Sequence, residues 1–124
     1  MPHEIQWYIP DRVMVIHLRG SMTIEELSAM ADESVTYIKR GPPPVHAIVD
    51  QRDLISYPYR LNNLLTINRG KQPESGFTVV VSENPVTRFL TNALFQLIRM
   101  EMRSCTSMDE AMDILLRIDP TLQF

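Results

Sequence analysis

Along the first eighteen residues the apolar positions are dense and β-branched. Glu4 to Ile9 and Arg12 to Leu18 predict two strands, and Pro10-Asp11 between them has the chemistry of a tight turn, so the chain opens with a β-hairpin. In the second strand Val13, Met14, Val15, Ile16 and Leu18 are apolar on both faces, the pattern of an interior strand covered from both sides, and Gly20 is expected to end it. The period then changes. Ile24, Leu27, Ala31, Val35 and Ile38 recur at helical spacing, while Glu25, Asp32, Glu33, Lys39 and Arg40 take the other sides. Thr23 and Glu26 form a capping box that opens this helix, and Gly41 with Pro42-Pro43-Pro44 stops it. The prolines read as a stiff helix-to-strand loop, because the pieces on either side are too small to stand alone.

Val45 to Val49 predicts a buried strand, followed after Asp50 by a polar loop through Ser56 and a short helix over Pro58 to Asn68 closed by Gly70. Phe77 to Val81 is another buried strand. Asn84 then caps a third helix whose first position is Pro85 and whose Val86, Phe89, Leu90, Ala93, Leu94, Leu97 and Ile98 make a wide apolar stripe, expected to face the core up to about Met100. A short strand, Met102 to Cys105, precedes a second capping box, Ser107 with Glu110. The last helix turns Ala111, Met112, Leu115 and Leu116 inward and ends at Asp119-Pro120. The order β-β-α-β-α-β-α-β-α predicts an α/β fold in a single domain, 1–124: a mostly parallel sheet of about five strands, an N-terminal antiparallel hairpin and four helices.

Composition narrows what such a domain can do. The 124 residues are 44% hydrophobic and 22% charged, ordinary for a globular chain, and the net charge of −3 gives no attraction to polyanions, so no nucleic-acid partner is expected. Cys105 is the only cysteine and cannot form an internal disulfide. The N-terminus lacks the basic and apolar regions of a signal peptide, and no apolar run reaches the length of a membrane span. A cytoplasmic protein is expected, with no cofactor and no metal.

In open α/β sheets ligands gather beyond the carboxyl ends of the parallel strands, here Arg19-Gly20, Asp50-Gln51, Ser82-Glu83 and Cys105-Thr106. These hold no coherent catalytic set. A receiver domain would need an acidic pair ending the first strand and a lysine ending the last, and both are missing. His3, His17 and His46 are far apart in sequence. Asp50 and Asp53 make a carboxylate pair with no histidine, glycine loop or metal spacing beside it. Cys105, just before a helix N-terminus, is the best nucleophile candidate because such a thiol can have a lowered pKa, against the plainer reading of a buried strand cysteine. The chain is therefore read as a binding module and not an enzyme.

The hairpin, the capped helix after a glycine, the strand ending in Val49-Asp50 and the closing Ser107-x-x-Glu110-Ala111 helix together resemble the SpoIIAA-like, or STAS, family over nearly the whole chain. That resemblance implies a non-enzymatic, regulatory domain that binds protein partners such as anti-sigma factors, with some relatives thought to bind lipids or nucleotides. Members of that family carry Asp-Ser-x-Gly where the loop after the third strand opens the next helix, with the serine phosphorylated to switch partner binding. The corresponding stretch here runs from Asp50 to Pro58 and lacks that motif. Asp50, Arg52, Asp53, Ser56 and Tyr57 make up the candidate ligand or switch loop, in which Ser56 is the nearest hydroxyl, readable either as a phosphate acceptor or as a helix cap.

Two further features bear on partners. Arg88, Asn92, Phe95, Arg99 and Met102 follow one another at four, three, four and three residues, a polar ridge with an aromatic in its middle, and this is the expected interface of a homodimer. The alternative is that Phe95 tucks under the Met102 segment or the tail Leu122 to Phe124. Met22, Met30, Met108 and Met112 lie near the first and last helices, which could pack together around an adaptable apolar pocket, against the stronger reading of ordinary core filling, and Arg60 and Arg69 could meet an anion. A lipid or anionic ligand is thus the alternative to a protein partner. One continuous helix, however, would put those two arginines on opposite sides.

Overall fold

The computed structural model describes residues 3–40, 43–56, 75–97 and 102–122, and within them the side chains of Ser56, Leu90, Leu94, Phe95 and Leu97 are not described. The elements in chain order are β1 His3–Ile9, β2 Val13–Ser21, α1 Ile24–Arg40, β3 Val45–Ser56, β4 Ser75–Val81, α2 Pro85–Leu97, β5 Met102–Cys105 and α3 Met108–Ile118. The strands form one sheet in the order β1-β2-β3-β4-β5. β1 and β2 pair antiparallel, and every later neighbour is parallel. The expected five-stranded sheet with its N-terminal antiparallel pair forms, and three of the four expected helices are present among the described residues. The helix expected over Pro58 to Asn68, together with Tyr57, Arg60 and Arg69, lies outside the described residues.

Local chemistry sets the ends of these elements. In the hairpin turn Arg12 N–H donates to Ile9 O at 3.0 Å, and Asp11 takes a φ of 63°, a left-handed conformation that Asp tolerates better than most residues. α1 starts with a complete capping box: Thr23 N–H donates to Glu26 Oε1 at 2.9 Å and Glu26 N–H to Thr23 Oγ1 at 3.1 Å. The box at α3 is only half made. Ser107 accepts from Glu110 N–H at 3.2 Å, but the Glu110 carboxylate takes its bond from the Thr106 hydroxyl instead. At α2, Asn84 Oδ1 accepts from Val86 N–H at 2.9 Å and Thr87 N–H at 3.3 Å, as its cap position predicts.

The sheet separates two apolar cores. On one face α1 lays Leu27 and Ile38 over Ile5, Met14, Ile16, Leu18, Val45 and Ala47. On the other, α3 lays Ala111, Met112 and Leu115 over Val13, Val15, Ile48, Val79 and Val81. Because β2 feeds both cores, it is apolar at consecutive positions, as its sequence predicts. The same split decides between the two readings of the methionines in favour of ordinary core filling. Met22 and Met30 belong to the α1 core and Met108 and Met112 to the α3 core, so the sheet keeps the two pairs apart.

Three further expectations change. β2 does not stop at Gly20, which adopts a φ of 65° inside the strand and lets it run to Ser21. The segment from Asp50 to Ser56 is not a loop. It continues β3, where Arg19, Gly20 and Ser21 pair with Asp53, Leu54 and Ser56 past a bulge, so backbone pairing with β2 overrides the polar composition. On α2 the apolar stripe does not all face inward: Val86 is 65% and Phe89 70% exposed, whereas Thr87 and Thr91 are buried. Thr91 bonds within its own helix to Thr87 O at 2.8 Å and meets the buried Gln51 Oε1 at 3.3 Å, so a polar seam takes the place of the expected apolar contact there.

The edge strand β1 is held by α1. Tyr37 donates its hydroxyl to Ile5 O at 3.1 Å, its ring lies 5.2 Å from that of Trp7, and the Arg40 guanidinium sits 5.1 Å above the Tyr37 ring.

Candidate functional site

At the carboxyl ends of the parallel strands one cross-strand row runs from Glu4 through His17, Asp50 and Val81 to Cys105, on the face covered by α3. Asp50 is its centre. Its side chain is 5% exposed, and Arg52 clamps it from Nε and Nη2 at 2.9 Å each and from the backbone N–H at 3.1 Å. His17 Nδ1 lies 3.2 Å from the same carboxylate, and its Nε2 is 3.5 Å from Gln6 Nε2. An ionised carboxylate only accepts, so Nδ1 carries the imidazole proton and Nε2 faces the Gln6 amide and solvent. Burial pushes the Asp50 pKa up, but the three bonds and charge of Arg52, with His17 behind them, outweigh burial and hold it below its ordinary value. Arg52 is raised in turn, chiefly by its bond to Asp50 and further by the charges of Glu83 and Asp53.

Two of the five residues expected in the switch loop, Asp50 and Arg52, are thus joined, though in a strand. Asp53 is exposed and pairs in register with Arg19, which itself bridges to Glu4 at 3.1 Å. Ser56 pairs with Ser21 through the backbone, its side chain is not described, and Tyr57 lies outside the described residues. His17 is the partner that composition alone does not reveal. What betrays it is register: in parallel β2 and β3 the position opposite Asp50 is His17.

Cys105 takes the plainer of its two readings, a buried cysteine at the end of a strand, and the lowered thiol pKa of the nucleophile reading does not hold. It is buried, burial pushes its pKa up, and its S–H donates to Ser107 O at 3.3 Å. Its neighbour along the row is the apolar Val81. Among the described residues no group of three or more His, Cys, Asp and Glu is placed to hold a metal.

A second polar cluster lies at the opposite edge of the sheet. Asp119 accepts from His46 Nε2 and Arg12 Nη2, both at 2.9 Å, and from the Thr121 hydroxyl and backbone N–H. The hydrogen bond from His46, then those from Thr121, draw its pKa down to about 2. These residues line a groove of about 490 Å3 with Pro43, Pro44 and Ile118. Both carboxylate oxygens of Asp119 and both ring nitrogens of His46 are bonded within the protein, so the cluster ties the hairpin turn, the start of β3 and the end of α3 together.

The expected ridge is only partly described. Arg88 and Asn92 on α2 and Met102 on β5 are half-buried, the Phe95 side chain is not described, and Arg99 lies outside the described residues. Its neighbouring face supplies a feature that the ridge did not foresee. Val86, Phe89, Ala93 and Gln96, at spacings of three, four and three, are all exposed and form one uncharged strip along α2. The helical stripe of the sequence puts Val86, Phe89 and Ala93 in the core, and the structure turns them outward. The signal for the inversion was Thr87 and Thr91, small hydroxyl residues at four-residue spacing that can return their O–H to their own helix and so lie against the sheet.

No protein-family model matches the chain, and no curated protein matches it in sequence. Solved structures do match in shape. An uncharacterised DUF3478-family protein with a SpoIIAA-like fold from Shewanella loihica PV-4 superposes with a TM-score of 0.66 at 16% identity, covering 91% of each chain. The anti-sigma factor antagonist SpoIIAA in its unphosphorylated form gives 0.60 at 16% identity over 98% of this chain and 99% of that one. The phosphorylated form of the Bacillus cell fate determinant SpoIIAA gives 0.56 at 18% identity, over 91% and 98%. Strand order, the single antiparallel pair and these end-to-end superpositions agree: the chain has a SpoIIAA-like, STAS-type α/β fold.

Proposed function

We propose that this chain is a non-catalytic regulatory module that holds another polypeptide against the outer strip of α2. The observation that carries this reading is the exposure of Phe89 and Val86 on a helix whose threonines are buried. Large apolar side chains gathered on one exposed strip favour a contact that removes them from water. The carboxyl edge supports the same reading. Asp50 has its lone pairs taken by Arg52 and His17, and the Cys105 thiol is buried, so this edge serves the sheet. One structural neighbour is named for antagonism of an anti-sigma factor, which is a protein-directed role. A lone cysteine with no internal disulfide partner fits a reducing cytoplasmic setting. A different protein and a second copy both fit the strip.

The test compares wild type with Phe89→Asp. Proteins that co-purify with the tagged wild-type chain are identified, produced separately and titrated against both forms. The variant is expected to bind at least about tenfold more weakly, the scale of an interface anchor. Equal affinity of the two forms would remove α2 as the contact surface.

A further inference from the structure

The strip on α2 has a symmetry of its own. Val86, Phe89, Ala93 and Gln96 are spaced three, four and three residues apart, so the pattern reads the same from either end. An antiparallel copy of the helix, turned about a two-fold axis level with Thr91, therefore sets Phe89 opposite Ala93 and Val86 opposite Gln96. The largest side chain of the strip meets the smallest, twice per contact, which lets the two helix axes approach while each ring fills the space above a methyl group. None of the four residues ionises, so the two-fold brings no like charges face to face and buries none. Charged residues lie off the strip: Glu83 precedes the helix, and Arg88 is half-buried on its flank.

We infer that the strip is a homodimer seam, with α2 packed on α2 of a second copy in antiparallel orientation and each Phe89 seated over the partner's Ala93. This rests on the reading of the strip as a contact surface and names its occupant. It differs from a ridge centred on Phe95, because the seam lies one helical face away and depends on the size contrast between positions 89 and 93.

Sedimentation equilibrium of the full chain up to about 100 µM, a range that detects a micromolar dimer, tests the seam. Wild type is expected to dimerise reversibly. Phe89→Asp should weaken the dimer by at least about tenfold. Ala93→Phe is the decisive variant: it enlarges the apolar strip but fills the space that the partner's Phe89 needs, so it should also weaken the dimer by about tenfold or more. Circular dichroism of each variant checks that the fold persists. A stronger dimer in Ala93→Phe would show indiscriminate stickiness and overturn the inference. So would a wild type that stays monomeric throughout, whether the strip serves a different protein or is covered within its own chain. If that monomer still binds a co-purified protein in a Phe89-dependent way, self-pairing falls and the interaction module stands. If Phe89→Asp changes neither association, both fall.

Discussion

His46 donates from Nε2 to Asp119 at 2.9 Å, while its Nδ1 accepts the backbone N–H of Phe77 at 2.9 Å. The imidazole is 3% exposed and both of its nitrogens are engaged, so a single neutral tautomer satisfies the whole arrangement. Through it the end of α3 is fastened to the start of β3 and, by way of Phe77, to β4.

Asp119→Asn should lower stability by roughly 1 to 3 kcal/mol, since a buried imidazole donor and the Arg12 guanidinium lose an ionised acceptor. The Asp119 pKa falls from an ordinary 3.8 to about 2 in the folded chain. A depressed carboxylate contributes its full stability above the unfolded value and loses it as pH falls toward the folded one. Wild type should therefore lose roughly 1 to 2 kcal/mol between about pH 4 and pH 2, with screening at the groove already discounted. Urea melts of both forms across that window check this. A wild-type loss no larger than that of Asp119→Asn would count against the assignment.

Gly76→Ala should destabilise by about 1 to 3 kcal/mol through overlap. A Cβ at Gly76 would run into His46 Nδ1, with Cε1 at 2.8 Å and Pro44 Cβ at 3.1 Å, and the ring cannot step aside because both its nitrogens are bonded. In a His46→Ala background the same substitution should cost less than about 0.5 kcal/mol. That coupling, read from a double-mutant cycle, is the measurement. Additive costs would mean that the ring yields.

Arg52→Lys should cost about 1 to 2 kcal/mol, because an ammonium cannot reproduce the paired bonds from Nε and Nη2 to Asp50. Arg52→Ala has a clearer signature in pH. With the clamp present, the Asp50 pKa lies below its ordinary value, so its contribution survives until the pH drops past the usual carboxylate range. Without the clamp burial dominates, the pKa rises, and acid unfolding should begin at higher pH. Chemical denaturation of the two proteins against pH would show the displaced onset, and coincident profiles would argue against the clamp.

Cys105 should resist a disulfide reagent in the native protein and react rapidly once unfolded, since its thiol is 4% exposed and its pKa is pushed up by burial. Native alkylation as fast as that of a free thiol would restore the case for a reactive cysteine.

Much of this architecture was legible because it obeys local rules. The Thr23–Glu26 box, the Asn84 cap and the two-sided apolar run Val13 to Ile16 are decided within a few residues, and each sits where the sequence puts it. Asp50 and Arg52 were found as polar groups at a strand end. Their surroundings were not, because the strand identity of Gln51 to Ser56 depends on pairing with β2, a partner some thirty residues away that composition does not encode. The same limit hid His17, which joins Asp50 only through parallel register, and the Asp119 cluster, whose members meet from three separate stretches of chain. On α2 the apolar count exceeded what one buried face needs, and counting alone could not say which apolar residues stay outside.

Strand order follows chain order across the whole sheet. Each strand thus finds its neighbour in the piece of chain just before it, and no strand has to wait for a later one to be inserted between it and its predecessor. Such a sheet can grow from the amino end as the chain is synthesised, one pairing at a time. The stitch between His46 and Asp119 comes last, because it requires the end of α3.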